Sequence, residues 1–169
     1  RVRSSAASDV YKRQGYCFGV GFEFSLACDF RIVTEDSQLS LPEMKIGMIP
    51  GSGGSARLAK MIGISRTKNI IMRGKRLSGE EAYQLGIACE IVEKSELENM
   101  TKKIVKELIS VSPLAQRTIK SVLNATQNAT LHTSIDLEGE AYGRLRSSND
   151  FKEGVESFSE KRPPSYKGN

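Results

Sequence analysis

Helical spacing of apolar residues dominates the chain, and strand-like alternation is confined to its first half. Phe22, Leu26 and Ala27 recur at helical intervals and predict a mostly buried helix over residues 19–29. Short alternating stretches predict strands at 31–33, 38–41 and 87–92. The first half therefore alternates strands with helices, which is typical of an α/β core.

Turn and capping residues divide the rest of the chain into helices. Pro42 suits the first position of a short helix, and Ser52 or Ser55 is expected to cap the next helix, which ends near Met61. The remaining predicted helices cover 65–72, 78–85, 97–108, 114–125, 131–145 and 150–158. The second half is thus predicted to be entirely helical.

The first 14 residues differ in character from the rest of the chain. The stretch R-V-R-S-S-A-A-S-D-V-Y-K-R-Q shows neither helical nor strand periodicity and is rich in Ser, Arg and Ala. We interpret residues 1–14 as a disordered or non-native leader, so that the chain is expected to begin partway through a domain. The expected division is then a core over 15–95 and a helical region over 96–169.

Composition excludes several classes of function. The net charge of +5 comes from 25 basic and 20 acidic residues, but these form no basic stripe with interleaved aromatics, which argues against nucleic-acid binding. No apolar run approaches the roughly 18 residues that a membrane span needs. Three cysteines indicate a reducing compartment, the cytoplasm or, in a eukaryote, the mitochondrial matrix. With one histidine and no cysteine pair, no metal site is expected.

Two glycine-bearing turns, each with a glutamate nearby, carry the candidate chemistry. Gly19 and Gly21 let the backbone approach a ligand closely, and the first N–H groups of the following helix have no acceptor within it. Such donors could form an oxyanion hole. Glu23 lies one turn further on, and Glu43 precedes the second turn. If both carboxylates faced one cavity, they could hold a water molecule and transfer its proton.

The same residues also have simpler interpretations. Glu23 and Glu43, each in the first turn of a predicted helix, would cap that helix. The glycines complete no Rossmann motif, because Phe24 stands where the third glycine belongs, and the loop over 50–55 lacks the Lys-Ser/Thr ending of a P-loop. His132 has no partner for catalysis or metal binding and is predicted to lie on the surface.

Several motifs, taken in their order, resemble the crotonase, or enoyl-CoA hydratase/isomerase, superfamily. They lie at 15–29, 41–58, 72–77, 81–82, 85–88 and 158–163. The resemblance covers residues 15–169. It implies an α/β fold, the ββα-repeat spiral core of that superfamily with its N-terminal half missing, followed by a C-terminal helical trimerisation region.

The resemblance also implies a set of catalytic residues. The N–H of Val20 matches one oxyanion donor toward the thioester carbonyl of an acyl-CoA. The family usually has glycine there, and valine would be strained if the position needed a positive φ. Glu23 and Glu43 match the two glutamates of hydratases, Glu23 activating the water and Glu43 exchanging a proton with the carbon α to the thioester. Gly51 matches the loop residue whose N–H positions that water.

The implied substrate, assembly and reaction rest on the same resemblance. Phe158 and Lys161 match residues that approach the adenine and phosphates of CoA, often in a neighbouring subunit of a homotrimer or dimer of trimers. No cofactor is expected, since CoA is part of the substrate. The expected reaction adds or removes water across the 2,3 double bond of an enoyl-CoA, although this chain by itself is expected to be inactive.

Two alternatives remain open from the sequence. One is another reaction of the superfamily: isomerisation, decarboxylation, or hydrolysis of a C–C bond or thioester. The other belongs to a different class, a non-catalytic module for CoA binding or assembly.

Overall fold

The computed structural model describes residues 10–169, which form two compact units, 10–104 and 105–169. The strands of the first unit are Val10–Arg13 (β1), Tyr16–Phe18 (β2), Phe30–Thr34 (β3), Gln38–Ser40 (β4), Arg76–Ser78 (β5) and Glu90–Val92 (β6). Its helices are Val20–Ala27 (α1), Gly54–Ile62 (α2), Ile64–Ile71 (α3) and Gly79–Gln84 (α4), with 3₁₀ turns at Glu43–Ile46 and Lys94–Glu96. The next helix, Leu97–Ile109 (α5), runs from the first unit into the second.

The described strands of the first unit form two small sheets. In one, β3 lies at the centre and runs parallel to both β1 and β6. In the other, β4 lies at the centre, parallel to β2 and antiparallel to β5. A strand paired on both sides has its backbone donors and acceptors satisfied, so it can be buried without cost to its hydrogen bonding. The side chains of Ile32 and Val33 in β3 are accordingly buried.

Helix α1 is buried through residues one turn apart. Phe22 and Leu26 belong to the same core cluster as Leu39 of β4, Leu58 of α2 and Leu77 of β5. Full burial of a side chain of this size contributes about 1.5–3 kcal/mol. The cluster therefore holds α1 against the elements that follow it, and it fixes where the first turn of α1 lies.

The structure confirms most of the predicted elements of the first unit. The helix over 19–29 and the strands at 31–33 and 38–41 are present as α1, β3 and β4. The strand predicted over 87–92 is shorter, since β6 begins at Glu90. The sequence pattern did not reveal β2 and β5, because three residues are too few to show alternation.

The predicted leader is wrong where it can be compared with the structure. Val10–Arg13 forms β1 and pairs with β3 from Val10↔Phe30 to Arg13↔Val33. This stretch has no alternation of apolar and polar residues, so its strand is specified by pairing with β3 rather than by its own pattern. Residues 1–9 of the predicted leader lie outside the described residues.

The second unit consists of helices, as predicted. Besides the end of α5 they are Pro113–Thr126 (α6), Leu131–Arg146 (α7) and Asn149–Glu160 (α8). Each of α6, α7 and α8 starts after a hydroxyl residue whose oxygen accepts a backbone N–H three positions on; these residues are Ser112, Thr130 and Ser148. Within residues 10–169, no helix has both the length and the apolar content needed to cross a bilayer.

The segment after α8 is held to that helix by Glu153. Its carboxylate accepts two hydrogen bonds from Arg162, at 2.6 and 3.0 Å, and one from the backbone N–H of Ser165 at 2.7 Å. These bonds favour the ionised form, so Arg162 first and Ser165 second lower the pKa of Glu153 to about 2. Protonation of Glu153 therefore weakens the contact.

We expect Gly79→Ala to destabilise the first unit. A Cβ at Gly79 would lie 2.2 Å from the carbonyl oxygen of Thr34, so α4 or β3 would have to shift. Overpacking of this kind costs about 1–3 kcal/mol. Urea denaturation should show this loss. The control is Gly143→Ala in α7, where a Cβ meets nothing within 4 Å and stability should be unchanged or rise by up to about 1 kcal/mol. Equal effects of the two substitutions would contradict the close approach of α4 to β3.

The contribution of Glu153 to stability should depend on pH. Its pKa is about 2 in the folded chain against an ordinary value of 4.5, so its stabilisation is complete above about pH 4.5 and is lost as the pH falls toward 2. Thermal unfolding of the unsubstituted chain and of Glu153→Gln, measured from pH 7 to pH 2, should give midpoints that differ above pH 5 and converge below it. Glu156→Gln, on the same helix, controls for the change of charge. A constant difference down to pH 2 would contradict the role of Glu153.

Candidate active site

A tight turn at Gly19 starts α1 and joins it to β4. The Gly19 N–H donates to the carbonyl of Ser40 at 3.0 Å, and the Gly19 carbonyl accepts from Phe22 and Glu23. Gly19 has φ 55° and ψ −130°, a conformation that is open to glycine and strained for other residues. The turn therefore fixes the amino end of α1 at the edge of a strand.

Val20 is the first residue of α1, so its N–H has no acceptor within the helix. Its side chain is 68% exposed. Lys161 is the single non-glycine with a positive φ in the described part of the chain, so Val20 has an ordinary helical backbone. The strain that a β-branched residue would suffer at a positive φ is therefore absent, and the predicted donor N–H is compatible with valine.

Glu23 is buried and holds the amino end of the second helix rather than its own. Its Oε2 accepts the backbone N–H of Ser52 at 2.8 Å, and its Oε1 accepts that of Gly54 at 3.2 Å. No side chain caps α1. The alternative in which Glu23 caps α1 is therefore wrong. The carboxylate, only 1% exposed, instead satisfies two N–H groups at the start of α2 and fixes its own orientation.

The loop before α2 is shaped to receive this carboxylate. A Cβ at Gly54 would lie 2.7 Å from Cγ and 2.8 Å from Oε1 of Glu23, so only glycine leaves room for it. The predicted cap at Ser52 or Ser55 is wrong, since the N-cap of α2 is Gly53 and no hydroxyl caps the helix. Sequence reasoning missed the role of Gly54. The clue in the sequence is that a second glycine follows the N-cap residue Gly53, at a helix position where capping does not require glycine.

Glu43 has the opposite environment. It opens the 3₁₀ turn but does not cap it. Its Oε2 is buried and has no hydrogen-bond partner among the described residues. Its Oε1 lies 3.1 Å from the point where a Cβ of Gly19 would stand, so the carboxylate adjoins the turn at the start of α1. Oε2 of Glu43 thus keeps lone pairs that no described residue occupies.

The structure brings part of the predicted site together. Glu43 lies against the turn that precedes Val20, and Glu23 is bound by the residue that follows Gly51. Phe158 and Lys161 belong to the second unit. Phe158 is 88% exposed on α8, and Lys161 ends that helix with φ 56° and ψ 38°.

The single histidine takes no part in this arrangement. His132 is exposed at the start of α7, where its Nδ1 lies 3.4 Å from Asp136. Among residues 10–169, no three His, Cys, Asp or Glu side chains are grouped as ligands of a metal ion.

Comparison with known proteins identifies the family. A family model described as enoyl-CoA hydratase/isomerase matches residues 10–169. The chain belongs to that family. The predicted α/β, crotonase-like fold is confirmed by a solved enoyl-CoA hydratase from Bacillus anthracis, which is 39% identical with a TM-score of 0.89. The match covers 92% of this chain and 60% of the hydratase chain. A second solved enoyl-CoA hydratase, from Mycobacterium marinum, is 29% identical with a TM-score of 0.93. This match covers 99% of this chain and 68% of the hydratase chain.

Curated relatives give the same picture. A short-chain-enoyl-CoA hydratase of Clostridium acetobutylicum is 32% identical over 148 residues, which are 88% of this chain and 57% of the relative. A carnitinyl-CoA dehydratase of Salmonella agona is 36% identical over 91% of this chain and 60% of the relative. The chain therefore spans somewhat less than two thirds of the length of these relatives.

The different environments of the two glutamates should separate their effects on stability. Glu23→Gln places an amide NH₂ against a backbone N–H and loses one of two buried hydrogen bonds, so we expect a loss of about 1–3 kcal/mol. Glu43→Gln removes a charge whose Oε2 has no partner, and stability should stay the same or rise. Urea denaturation of the two variants tests this. Equal losses would show that Glu43 also has a structural role.

Proposed function

We propose that this chain supplies two carboxylates and one oxyanion donor to an active site that adds water to, or removes it across, the 2,3 double bond of an enoyl-CoA. The observation that carries the proposal is the buried Oε2 of Glu43, which has no hydrogen-bond partner in the described chain. An unsatisfied buried polar group typically costs about 1–3 kcal/mol and contributes nothing to the fold in return. A group with such a cost is suited to proton transfer.

Glu43 is the general acid and base at carbon. During hydration it gives a proton to the carbon α to the thioester, and during dehydration it removes that proton. The absence of competing donors on Oε2 leaves the carboxylate free to take or give the proton. Its contact with the Gly19 turn keeps it near the start of α1, whose first N–H, that of Val20, would face the thioester oxygen.

Glu23 activates the water. Its two oxygens accept from Ser52 and Gly54, and each oxygen retains a further lone pair for a water hydrogen. As the water oxygen bonds to carbon 3, the π electrons of the double bond move toward carbon 2 and the thioester oxygen, and the water proton passes to Glu23. The N–H of Gly51, next to Ser52, helps to position this water.

The developing negative charge on the thioester oxygen is stabilised by the N–H of Val20. This N–H lies at the amino end of α1, where helix donors and the helix dipole favour an anion. Loss of one oxyanion donor typically costs about 10²–10³ in rate. The relatives named above as a hydratase and a dehydratase support hydration or dehydration over isomerisation, decarboxylation or hydrolysis.

Phe158 and Lys161 would approach the adenine and phosphates of CoA, often those of a neighbouring subunit, and the assembly would be a homotrimer or dimer of trimers. The exposed ring of Phe158 suits stacking on adenine, and Lys161 supplies a cation for phosphate. Large apolar side chains exposed on α6 and α7 support burial against other subunits; they are Ile119, Leu123, Ile135 and Tyr142. The cytoplasmic location inferred from the cysteine content stays a prediction.

Replacing either glutamate should abolish most of the turnover. In the full-length gene product, Glu43→Gln and Glu23→Gln should each lower the hydration rate of a 2-enoyl-CoA by about 10²–10⁴, the usual contribution of a general acid or base. The loss of enoyl absorbance gives the rate, and mass spectrometry of the product distinguishes hydration from isomerisation, decarboxylation and hydrolysis. Glu35→Gln, an exposed residue, is the control. An unchanged rate in Glu43→Gln would contradict the proposal.

A further inference from the structure

Arg57 holds the carbonyl of the residue whose N–H binds Glu23. Its Nη1 donates to the carbonyl of Ser52 at 2.8 Å, while the N–H of Ser52 donates to Oε2 of Glu23, also at 2.8 Å. Ser52 is therefore bound at both ends of its backbone, by a cation on one side and a carboxylate on the other. A movement of the Arg57 side chain would be transmitted to the donor that orients Glu23.

The guanidinium also lies directly against the next residue of the loop. A Cβ at Gly53 would stand 2.4 Å from Nη1 and 3.2 Å from Cζ of Arg57, so the side chain folds back over the loop instead of extending into solvent. Gly53 has φ 91° and ψ 10°, which brings the following N–H, that of Gly54, toward Glu23. Arg57 thus contacts the loop at the turn between the two donors.

The position of Arg57 in its helix is electrostatically unfavourable by itself. It lies four residues into α2, near the end where the helix dipole opposes a cation, and α2 has no acidic residue in its first turn. The buried carboxylate of Glu23 supplies the missing negative charge at this end of the helix. The guanidinium and the carboxylate are therefore joined through the backbone of Ser52, by one hydrogen bond to its carbonyl and one from its N–H.

We propose that Arg57 is a positioning residue for the water-activating Glu23. This inference rests on the proposed hydration chemistry, in which the orientation of Glu23 sets the position of the water. Without the guanidinium, the Ser52 carbonyl loses its donor and the loop over 51–54 is less constrained, so the carboxylate and the N–H of Gly51 lose their alignment. A misplacement of about 1 Å can lower a rate by about 10²-fold. Because Arg57 acts on the loop in this proposal and not on the substrate, KM should change little.

The test uses the full-length gene product with Arg57→Met, Arg57→Lys and, as a matched control, Arg66→Met, an exposed arginine of α3. We expect Arg57→Met to lower kcat by about 10–100-fold, because a misplacement of up to about 1 Å costs up to about 10²-fold in rate, and to leave KM within about threefold of its original value. Arg57→Lys, which keeps a donor and the charge, should recover part of the loss. Added guanidinium ion should restore part of the kcat of Arg57→Met and leave Arg66→Met unchanged. A lower unfolding midpoint with an unchanged kcat would overturn the proposal.

A double substitution distinguishes action through Glu23 from an independent effect. If Arg57 acts through Glu23, Arg57→Met combined with Glu23→Gln should have the kcat of Glu23→Gln alone. Losses that multiply would overturn the inference while leaving the hydration chemistry intact. Unchanged turnover in Glu23→Gln would instead contradict the proposed function. In that case the urea midpoints of the two single variants and the double variant still decide whether the residues are coupled, because additive shifts would overturn the coupling without reference to activity.

Discussion

The hydrogen bonds between the Glu23 carboxylate and the N–H groups of Ser52 and Gly54 are the constraint on which the rest of the site depends. A buried carboxylate is costly unless donors surround it, and the start of a helix has donors without acceptors. Here the carboxylate supplies acceptors to the unpaired N–H groups, and those N–H groups supply the donors that the buried carboxylate needs. Because Glu23 belongs to α1 and its donors belong to the start of α2, the same contact fixes the position of the glycine turn relative to the loop over 50–54.

The two glutamates show how one fold can use the same side chain in two ways. Glu23 is satisfied by backbone donors and is therefore fixed in place, which suits the water-holding role proposed for it. Within the described residues, Oε2 of Glu43 is buried without a hydrogen-bond partner, which costs stability but leaves a lone pair for the proton transfer proposed for it. On this proposal the stabilising carboxylate and the reactive carboxylate are different residues, and the rest of the fold supplies the stability that offsets the cost at Glu43.

Local pattern was enough to predict the helices, but it could not place the site. Helix α1 was predicted because Phe22 and Leu26 repeat within one turn, a signal that every helix with a buried face carries. The contacts of Glu23 join residues 29 and 31 positions apart, and no local pattern encodes such a distance. The serine cap of α2 failed for the same reason: a carboxylate from another helix supplied the oxygen that the local rule assigned to a hydroxyl. In β1, pairing with β3 overrode a sequence with no strand pattern.

Two of the glycines in the loop before α2 are required by the fold, and a third is not. Gly53 is needed for its positive φ, and Gly54 is needed because Glu23 occupies the space of a Cβ. Gly51 meets neither demand, since its φ is ordinary and a Cβ there would meet no described atom within 4 Å. Nothing in the described fold therefore requires glycine at this position. Glycine here leaves the backbone next to Ser52 uncovered by a side chain, which the approach of a water molecule requires, and the proposed hydration chemistry gives that role to the N–H of Gly51.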